Sequence, residues 1–458
     1  MGSGLGTYIP LALYLAVLAS SLRALFGKSD LALYILLFLI PLQTTRYRLE
    51  GFFLGSEIID ILWLSIFVGL MLRQGTSAFP KSPIYPYLIA LSLLTYFSLW
   101  MGSFYLGTDL PIRLSDTRFS DWKNYMVMPM IAIVVAGAVR TKVEMTRVLM
   151  VVLASTAVVN WSFFRSTNGR DFSHFSYDLR DAGVIGYAGV NGFAAFIALI
   201  VVFFATLLFC YKAKVFRLTL LVLLGFSVYC LLFAFSRGAY FATLAGLSFV
   251  AVFCQKKLLI GIAALVICWQ LVLPQAVQER INMTYGGSDN TLEPSAADRV
   301  TLWEDAMNLY KTNPVLGTGY DTYQFMHRVA EYGDTHNYYV KVMVETGTVG
   351  LITLVTLLLR MAFLGLQLYF KADDSFLKGI GLGFCGLMVC ALVANCFGDR
   401  WTYLQVDGFI WVLLGCVMRG SELAKRPETT READGIAEDE VARMARNSFS
   451  EAGTCLTT

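Results

Sequence analysis

Apolar residues run along this chain in long unbroken stretches separated by short polar connections, and the pattern repeats from one end almost to the other. A membrane-crossing helix needs ~20 predominantly apolar residues. Runs of that character fall at residues 7–26, 30–44, 55–73, 84–105, 122–139, 143–164, 189–211, 217–235, 238–254, 258–274, 337–370, 376–397 and 405–419. They are continuous rather than alternating, which predicts helices that satisfy their backbone groups internally, not the strands of a membrane barrel. The second run is short and the eleventh overlong, so the expectation is an all-α polytopic bundle of about 12 to 14 transmembrane helices. No basic segment precedes the first run, which therefore reads as a helix of the bundle and not as a secretion leader.

This pattern divides the chain into a transmembrane helical domain over residues 1–420, a large loop at 275–336 inside it, and a polar, mixed-charge tail at 421–458. Within the loop, Ser295 to Asp298 reads SAAD, a helix-start signal, and Val300, Trp303, Met307 and Tyr310 follow at helical spacing. An amphipathic helix is predicted near 296–311, ended by Asn313-Pro314 and the glycines of NPVLGTG. The tail lacks an apolar face large enough to fold alone.

Composition agrees with an integral membrane protein: 57% of residues are hydrophobic and 15% charged, with a mean hydropathy of +0.61. The net charge of +3 gives no reason to expect nucleic acid as a partner. Its distribution is more informative. Lys and Arg gather at Arg140, Lys142 and Arg147, at Lys212, Lys214 and Arg217, at Lys256 and Lys257, and at Lys425 and Arg426, always in alternate connections. Those connections are expected on the cytoplasmic side. Segments 105–121, 165–188, the 236/237 turn, the 275–336 loop and 396–404 then face outward, although Arg46 and Arg48 run against the rule in a predicted outer loop. None of the nine cysteines forms a CxxC pair, and neither a disulfide framework nor a metal site is expected.

The outward set carries the candidate chemistry. Arg237, in FAFSRGAYF, stands between two apolar runs with almost no loop around it, where it either snorkels to lipid phosphates or meets an anionic group. Arg299 falls in the first turn of the predicted loop helix, against the helix dipole, and either pairs with Asp298, Glu304 or Asp305 or serves an anion. Arg180 and Asn191 lie in a glycine-rich stretch, DLRDAGVIGYAGVNGFA, just ahead of a span, and Arg400 follows Asp399, its nearest acidic partner in sequence. His336, one of only three histidines, stands at the doorstep of the overlong run. An ordinary imidazole, with a pKa of ~6.5, suits a general base near neutral pH. If the helix continues straight from Asn337, Gly347 lies three turns below the histidine on nearly the same face and Gly350 close by, leaving room for a neighbouring helix or lipid chain. The bland alternative is a histidine that caps a helix beside Asp334 and Asn337. Arg180, Arg237, Arg299, His336 and Arg400 all come out on one side of the membrane, which reads as an anion site with a base. Several arginines suit a diphosphate. The scattered acids Asp298, Asp305, Asp321 and Asp334 make no DxD-type pair to hold a metal, so the arginines are expected to neutralise the charge.

At His336-Asn337, nine residues, Gly347 and Gly350, the chain resembles the O-antigen ligase and polymerase superfamily, matching the ligase pattern H-[NSQ]-x9-G-x-x-[GTY]. SRGAY at Ser236 to Tyr240, R-x-x-x-W at Arg299 to Trp303, NPVLGTGY at Asn313 to Tyr320 and VNGFA at Val190 to Ala194 are similar to further family features in the same order. The resemblance covers roughly residues 180–415; ahead of it only the apolar character matches. It implies a glycosyltransferase-C-like fold in the bacterial inner membrane, with the active site on the periplasmic side. It further implies metal-independent, inverting transfer of a glycan from an undecaprenyl-diphosphate carrier, with no cofactor. By the same resemblance Arg237 and Arg299 bind the diphosphate, His336 deprotonates the acceptor hydroxyl, Arg180, Arg400, Asn191 and Asn337 bind carrier or glycan, and Gly347 and Gly350 shape the motif. The acceptor is lipid A-core for a ligase, a second lipid-linked glycan for a polymerase, or a protein hydroxyl for an O-glycosylation ligase; the histidine motif leans toward the first. A lipid-linked sugar transporter is the alternative of another class, with Glu57, Asp60 and Arg360 as its intramembrane charges.

Overall fold

The computed structural model describes residues 8–42, 49–210, 214–254, 256–283, 294–329 and 333–425. Arg46 and Arg48, and the tail beyond residue 425, lie outside these. The apolar runs become helices α1 (Ile9–Leu25), α2 (Asp30–Leu39), α3 (Ile58–Gln74), α4 (Tyr85–Leu106), α5 (Thr117–Ala138), α6 (Lys142–Thr167), α7 (Gly189–Cys210), α8 (Lys214–Phe233), α9 (Arg237–Cys254) and α10 (Lys257–Ile267). After two loop helices, α11 (Gln275–Asn282) and α12 (Pro294–Tyr310), come α13 (Tyr338–Lys371), α14 (Ser375–Ala394) and α15 (Leu404–Leu423). The protein is all-helical, with no strand among the described residues. Among the described residues, eight helices, α3, α4, α6 to α9, α13 and α14, are long and apolar enough to cross a membrane. The apolar α1, α2 and α10 are shorter. The more polar α5 and α15 pack against each other within the bundle.

Local chemistry fixes where helices begin. Thr141 and Glu144 close a reciprocal capping box at the start of α6, and the carboxylates of Asp116 and Asp374 accept from backbone N–H groups at the starts of α5 and α14. Helix α7 and helix α14 are buried along most of their length and form the centre, with α9 and α13 against α14. Small residues let these backbones approach: a Cβ at Gly246 of α9 would lie 2.9 Å from the carbonyl oxygen of Gly386 in α14.

The contacts gather one set of helix ends into a single region. Lys123, early in α5, is 2.7 Å from Glu57 at the entrance to α3, and Tyr339, early in α13, donates to the Leu392 carbonyl near the end of α14 at 2.8 Å. Ser236, ahead of α9, donates to Asn191 of α7. The candidate residues lie at this end of the bundle.

Candidate active site

The described part of the loop is a set of braces over that end. Its helix α12 spans Pro294–Tyr310, close to the predicted 296–311. Trp303 donates its indole N–H to the Thr335 carbonyl at 3.0 Å, tying α12 to the residue before His336. Arg299 lies one helical turn before Trp303 and so shares its face. Asp305, six residues after Arg299, is held by both arms of Arg328 at 2.8 and 2.9 Å.

Three arginines converge at the starts of α7 and α9. Arg180 follows a short turn at Tyr177–Leu179 and donates through Nη2 to Asn191 Oδ1 at 2.8 Å. Ser236 Oγ donates to the same oxygen at 3.1 Å, so one side chain of α7 fixes both Arg180 and the residue preceding Arg237. Arg280 of α11 completes the group. It is 5% exposed, stands 5.1 Å from the Phe175 ring centroid and 5.3 Å from that of Tyr177, and points Nε at the Phe235 carbonyl at 3.4 Å. Burial, then the positive charges of Arg280 and Arg237, depress the pKa of Arg180. Its Nε is buried without a hydrogen-bond partner among the described residues. A desolvated donor flanked by two further guanidinium groups is an arrangement that favours an anion.

The second group surrounds His336. Its Nδ1 lies 3.4 Å from Oδ2 of Asp334, and its backbone is held in the left-handed region at φ +51°. Burial works to raise the Asp334 carboxyl, but its bond with His336 and the charges of Lys341 and Arg400 outweigh this and hold it at about 2. Lys341, one turn into α13, reaches Asp399 at 3.2 Å and Asp321 at 3.8 Å. Burial pushes the Asp321 carboxyl well above the ordinary range; Lys341 pulls against this, and Glu345 and Asp121 add to the rise. Asp399 is not the partner of Arg400 that adjacency in sequence suggests. It accepts instead from Lys341 and, at 2.8 Å, from the Thr402 hydroxyl, and no hydrogen bond from the Arg400 guanidinium is found among the described residues. Asn395 Oδ1 accepts from the backbone N–H groups of Arg400 and Trp401 and so sets the shape of this turn. The turn also joins the two groups, because Phe397 packs against Gly238, next to Arg237.

Asn337 uses its side-chain oxygen to cap α13, accepting from Tyr339 and Val340 N–H at 3.1 and 3.3 Å. The straight helix expected below it does not occur. Gly347 sits at φ +65° and ψ −168°, which breaks α13. Residues of NPVLGTG occupy the break: Thr348 N–H donates to Pro314 O at 2.9 Å, and Gly319 N–H to Glu345 O at 2.8 Å. A Cβ on Gly347 would lie 2.2 Å from the Val315 carbonyl oxygen. The visitor that Gly347 admits is therefore the protein's own loop, not another helix or a lipid. Gly350 is buried within the same helix, below the kink.

Two of the intramembrane charges considered for a transporter are spoken for, since Glu57 and Asp60 both pair with Lys123, and Arg360 stands 5.3 Å from the Phe363 ring centroid. Arg280, Lys341 and Asp334 are the members of the site that sequence reasoning did not assign. Arg280 was legible only as a lone arginine in a long polar loop, with nothing to say which end of the bundle it touches.

Residues 220–355, which include Arg237, Arg280, Arg299 and His336, match the family model described as O-antigen ligase. The match covers less than half of the chain and is a likeness of this stretch to the O-antigen ligase/polymerase superfamily. It indicates an activity of the ligase/polymerase type. Arg180, Asn191 and Arg400 lie outside the matched stretch. No curated protein matches the chain.

Proposed function

We propose that this protein is an O-antigen ligase that transfers a glycan from an undecaprenyl-diphosphate carrier to a hydroxyl of lipid A-core, at the periplasmic face of the bacterial inner membrane. The observation that carries the proposal is the placement of Arg180, Arg237 and Arg280 beside the turn that bears Arg400, which in turn faces the Asp334–His336 pair. When Nδ1 of His336 donates to Asp334, Nε2 is the unprotonated ring nitrogen and can accept a proton. The acceptor O–H gives its proton to that nitrogen, and its oxygen forms the new bond to the anomeric carbon. The bond from that carbon to the diphosphate oxygen breaks with its electron pair, so attack from the opposite face inverts the configuration. The leaving diphosphate needs positive charge most as it departs, and a preformed arginine group supplies it without reorganisation. Arg299, one turn before Trp303, and Arg400, in the turn beside the arginine group, serve the same anion in this reading, and Asn191 positions Arg180.

The test is transfer by the protein in nanodiscs, with a purified lipid-linked glycan and lipid A-core, a second lipid-linked glycan or a hydroxyl-bearing protein as acceptor, with and without EDTA. Glycosylated lipid A-core formed equally in EDTA is expected, with a loss of ~10² or more for His336→Ala and Arg237→Ala that retain wild-type melting. Elongated carrier-linked glycan would make it a polymerase, and glycosylated protein an O-glycosylation ligase. Full activity of His336→Ala would remove the proposed base, and carrier crossing the bilayer with no glycosidic bond made would make the protein a transporter.

A further inference from the structure

Beside the His336 group lies a cavity that the transfer mechanism does not use. Its volume is about 300 Å³, and it opens where α3, α5, α13 and α15 begin. That is the small end of ligand cavities, ~300–1,000 Å³, and suits a ring or two better than an extended glycan. Its walls carry Glu57, Asp60, Asp121 and Asp321, against Lys341 on the wall and Lys123 between the first two. Carboxyl groups therefore outnumber cations, in contrast to the arginine group. No three acidic groups among the described residues are arranged to share a metal ion. The second observation is Gln405. Only 2% exposed, it lines the cavity, and its amide Nε2 finds no partner among the described residues. A buried NH2 group left without an acceptor in the protein calls for one from an occupant. Asn124 and Gln324 add amides that both donate and accept, and Tyr320 and Tyr403 add rings.

We propose that this cavity is a saccharide subsite that holds one or two neutral or amino sugar rings by their hydroxyls and rejects uronates and phosphates. Carboxyl groups and amides match vicinal hydroxyls, each a donor and an acceptor. Four carboxyl groups against two ammonium groups give the wall more acceptors for hydroxyls and an ammonium than partners for an anionic sugar. Lys341 connects the subsite to the chemistry, because the ammonium that meets Asp321 on the cavity wall also holds Asp399 in the turn bearing Arg400. Charge thus sorts a sugar–diphosphate substrate, phosphates to the arginines and sugar to the acidic cavity. The role of the sugar rests on the transferase reading; its binding does not. It belongs either to the acceptor or to the carrier-linked glycan.

Two arms test this, using Gln405→Leu, which removes the unpartnered donor, and Asn124→Phe, which fills the space. In the first, saturation-transfer NMR on the full-length protein in nanodiscs reads binding of galactose, glucosamine, glucuronate and inorganic phosphate. Galactose or glucosamine should give a signal in wild type that falls about fivefold or more in both variants, with glucuronate giving none. Equal signals in wild type and variants, or glucuronate binding as well as galactose, would overturn the subsite. In the second, steady-state transfer should show KM raised about tenfold in Gln405→Leu for one substrate, with kcat little changed. A rise for the acceptor places its sugar in the cavity, and a rise for the donor places the carrier-linked sugar there. An active Gln405→Leu with neither KM moved would sink the proposal. Sugar binding without any transfer by wild type would retire the transferase reading and leave the subsite standing.

Discussion

Nδ1 of His336 lies 3.4 Å from Oδ2 of Asp334, two residues earlier in the chain, and the left-handed backbone at His336 is what folds the ring back toward that carboxylate. Such a conformation is uncommon outside glycine and is costly enough to persist only where surrounding contacts enforce it. Here Thr335 supplies them, since its carbonyl accepts from Trp303 and its hydroxyl donates to the Asn337 carbonyl. The dyad is thus built by α12 from one side and by the cap of α13 from the other.

Asp334→Asn should lower the transfer rate ~10–10²-fold, the range for groups that orient a reacting side chain, while His336→Ala should cost ~10²–10⁴. The pH profile separates orientation from mere structure. Asp334 is held at about 2, so it stays charged throughout the working range and does not itself produce an acid limb. Because that charge is constant over the working range, Asp334→Asn should lower kcat/KM by a similar factor at every pH within it. A loss confined to one end of the range would mean that Asp334 acts through its own titration and not as a fixed charge. For stability the sign is fixed too: a carboxyl depressed on folding contributes above its unfolded pKa, and that contribution fades as pH falls through about 2.

Arg280→Ala should reduce kcat/KM for the lipid-linked donor ~10²-fold, as expected for removing one charge-stabilising donor from a preorganised site. Arg280→Lys should recover little. The guanidinium lies over the Phe175 and Tyr177 rings, and an ammonium cannot stack or fork in the same way. Recovery of most activity by lysine would show that only net charge matters at this position.

Some of this was written plainly in the sequence and some was not. The bundle, the loop helix and the side on which Arg180, Arg237, Arg299, His336 and Arg400 lie follow from apolar run lengths and alternating charge, which are properties of single segments. The pairings are properties of several segments at once. Asp399 stands next to Arg400 in sequence, yet the Asn395 bonds turn the backbone so that Asp399 faces Lys341, and nothing local announces this. Gly347 was visible as a glycine in an apolar run, but the periodicity of α13 continues through it. Only the arrival of Pro314 and Val315 shows why the helix breaks there.

Gly347→Ala should be far more damaging than Gly350→Ala. At Gly347 an added Cβ meets a backbone carbonyl at 2.2 Å, and the backbone at φ +65° and ψ −168° is essentially glycine-only, costing another residue ~1–3 kcal/mol. At Gly350 the obstacle is the side chain of Thr346, which can rotate away at the loss of its bond to Val342 O. Thermal unfolding in detergent should show a drop of several degrees for Gly347→Ala and a smaller one for Gly350→Ala. The reverse order would mean that the loop does not depend on the break in α13.

Lys341 offers a test of how the site is held together without touching its chemistry directly. It stands among Asp399, Asp321 and the buried Glu345, whose carboxylate accepts from the N–H groups of Asp321 and Tyr323. Truncation leaves these carboxyl groups without their common cation, and breaking a buried pair from one side costs ~3–5 kcal/mol. Lys341→Met should therefore melt well below wild type, and Lys341→Met with Asp399→Asn should regain part of the loss, because the second change removes the charge the first one stranded. Equal melting of the single and double variants would show that the charge of Asp399 is not what Lys341 offsets. Activity should follow a different course from stability. Even where the double variant melts near wild type, the turn carrying Arg400 has lost its tie to α13, so transfer at a temperature where both are folded should stay depressed. If transfer returns with stability, Lys341 serves the fold alone and Arg400 needs no anchoring through it.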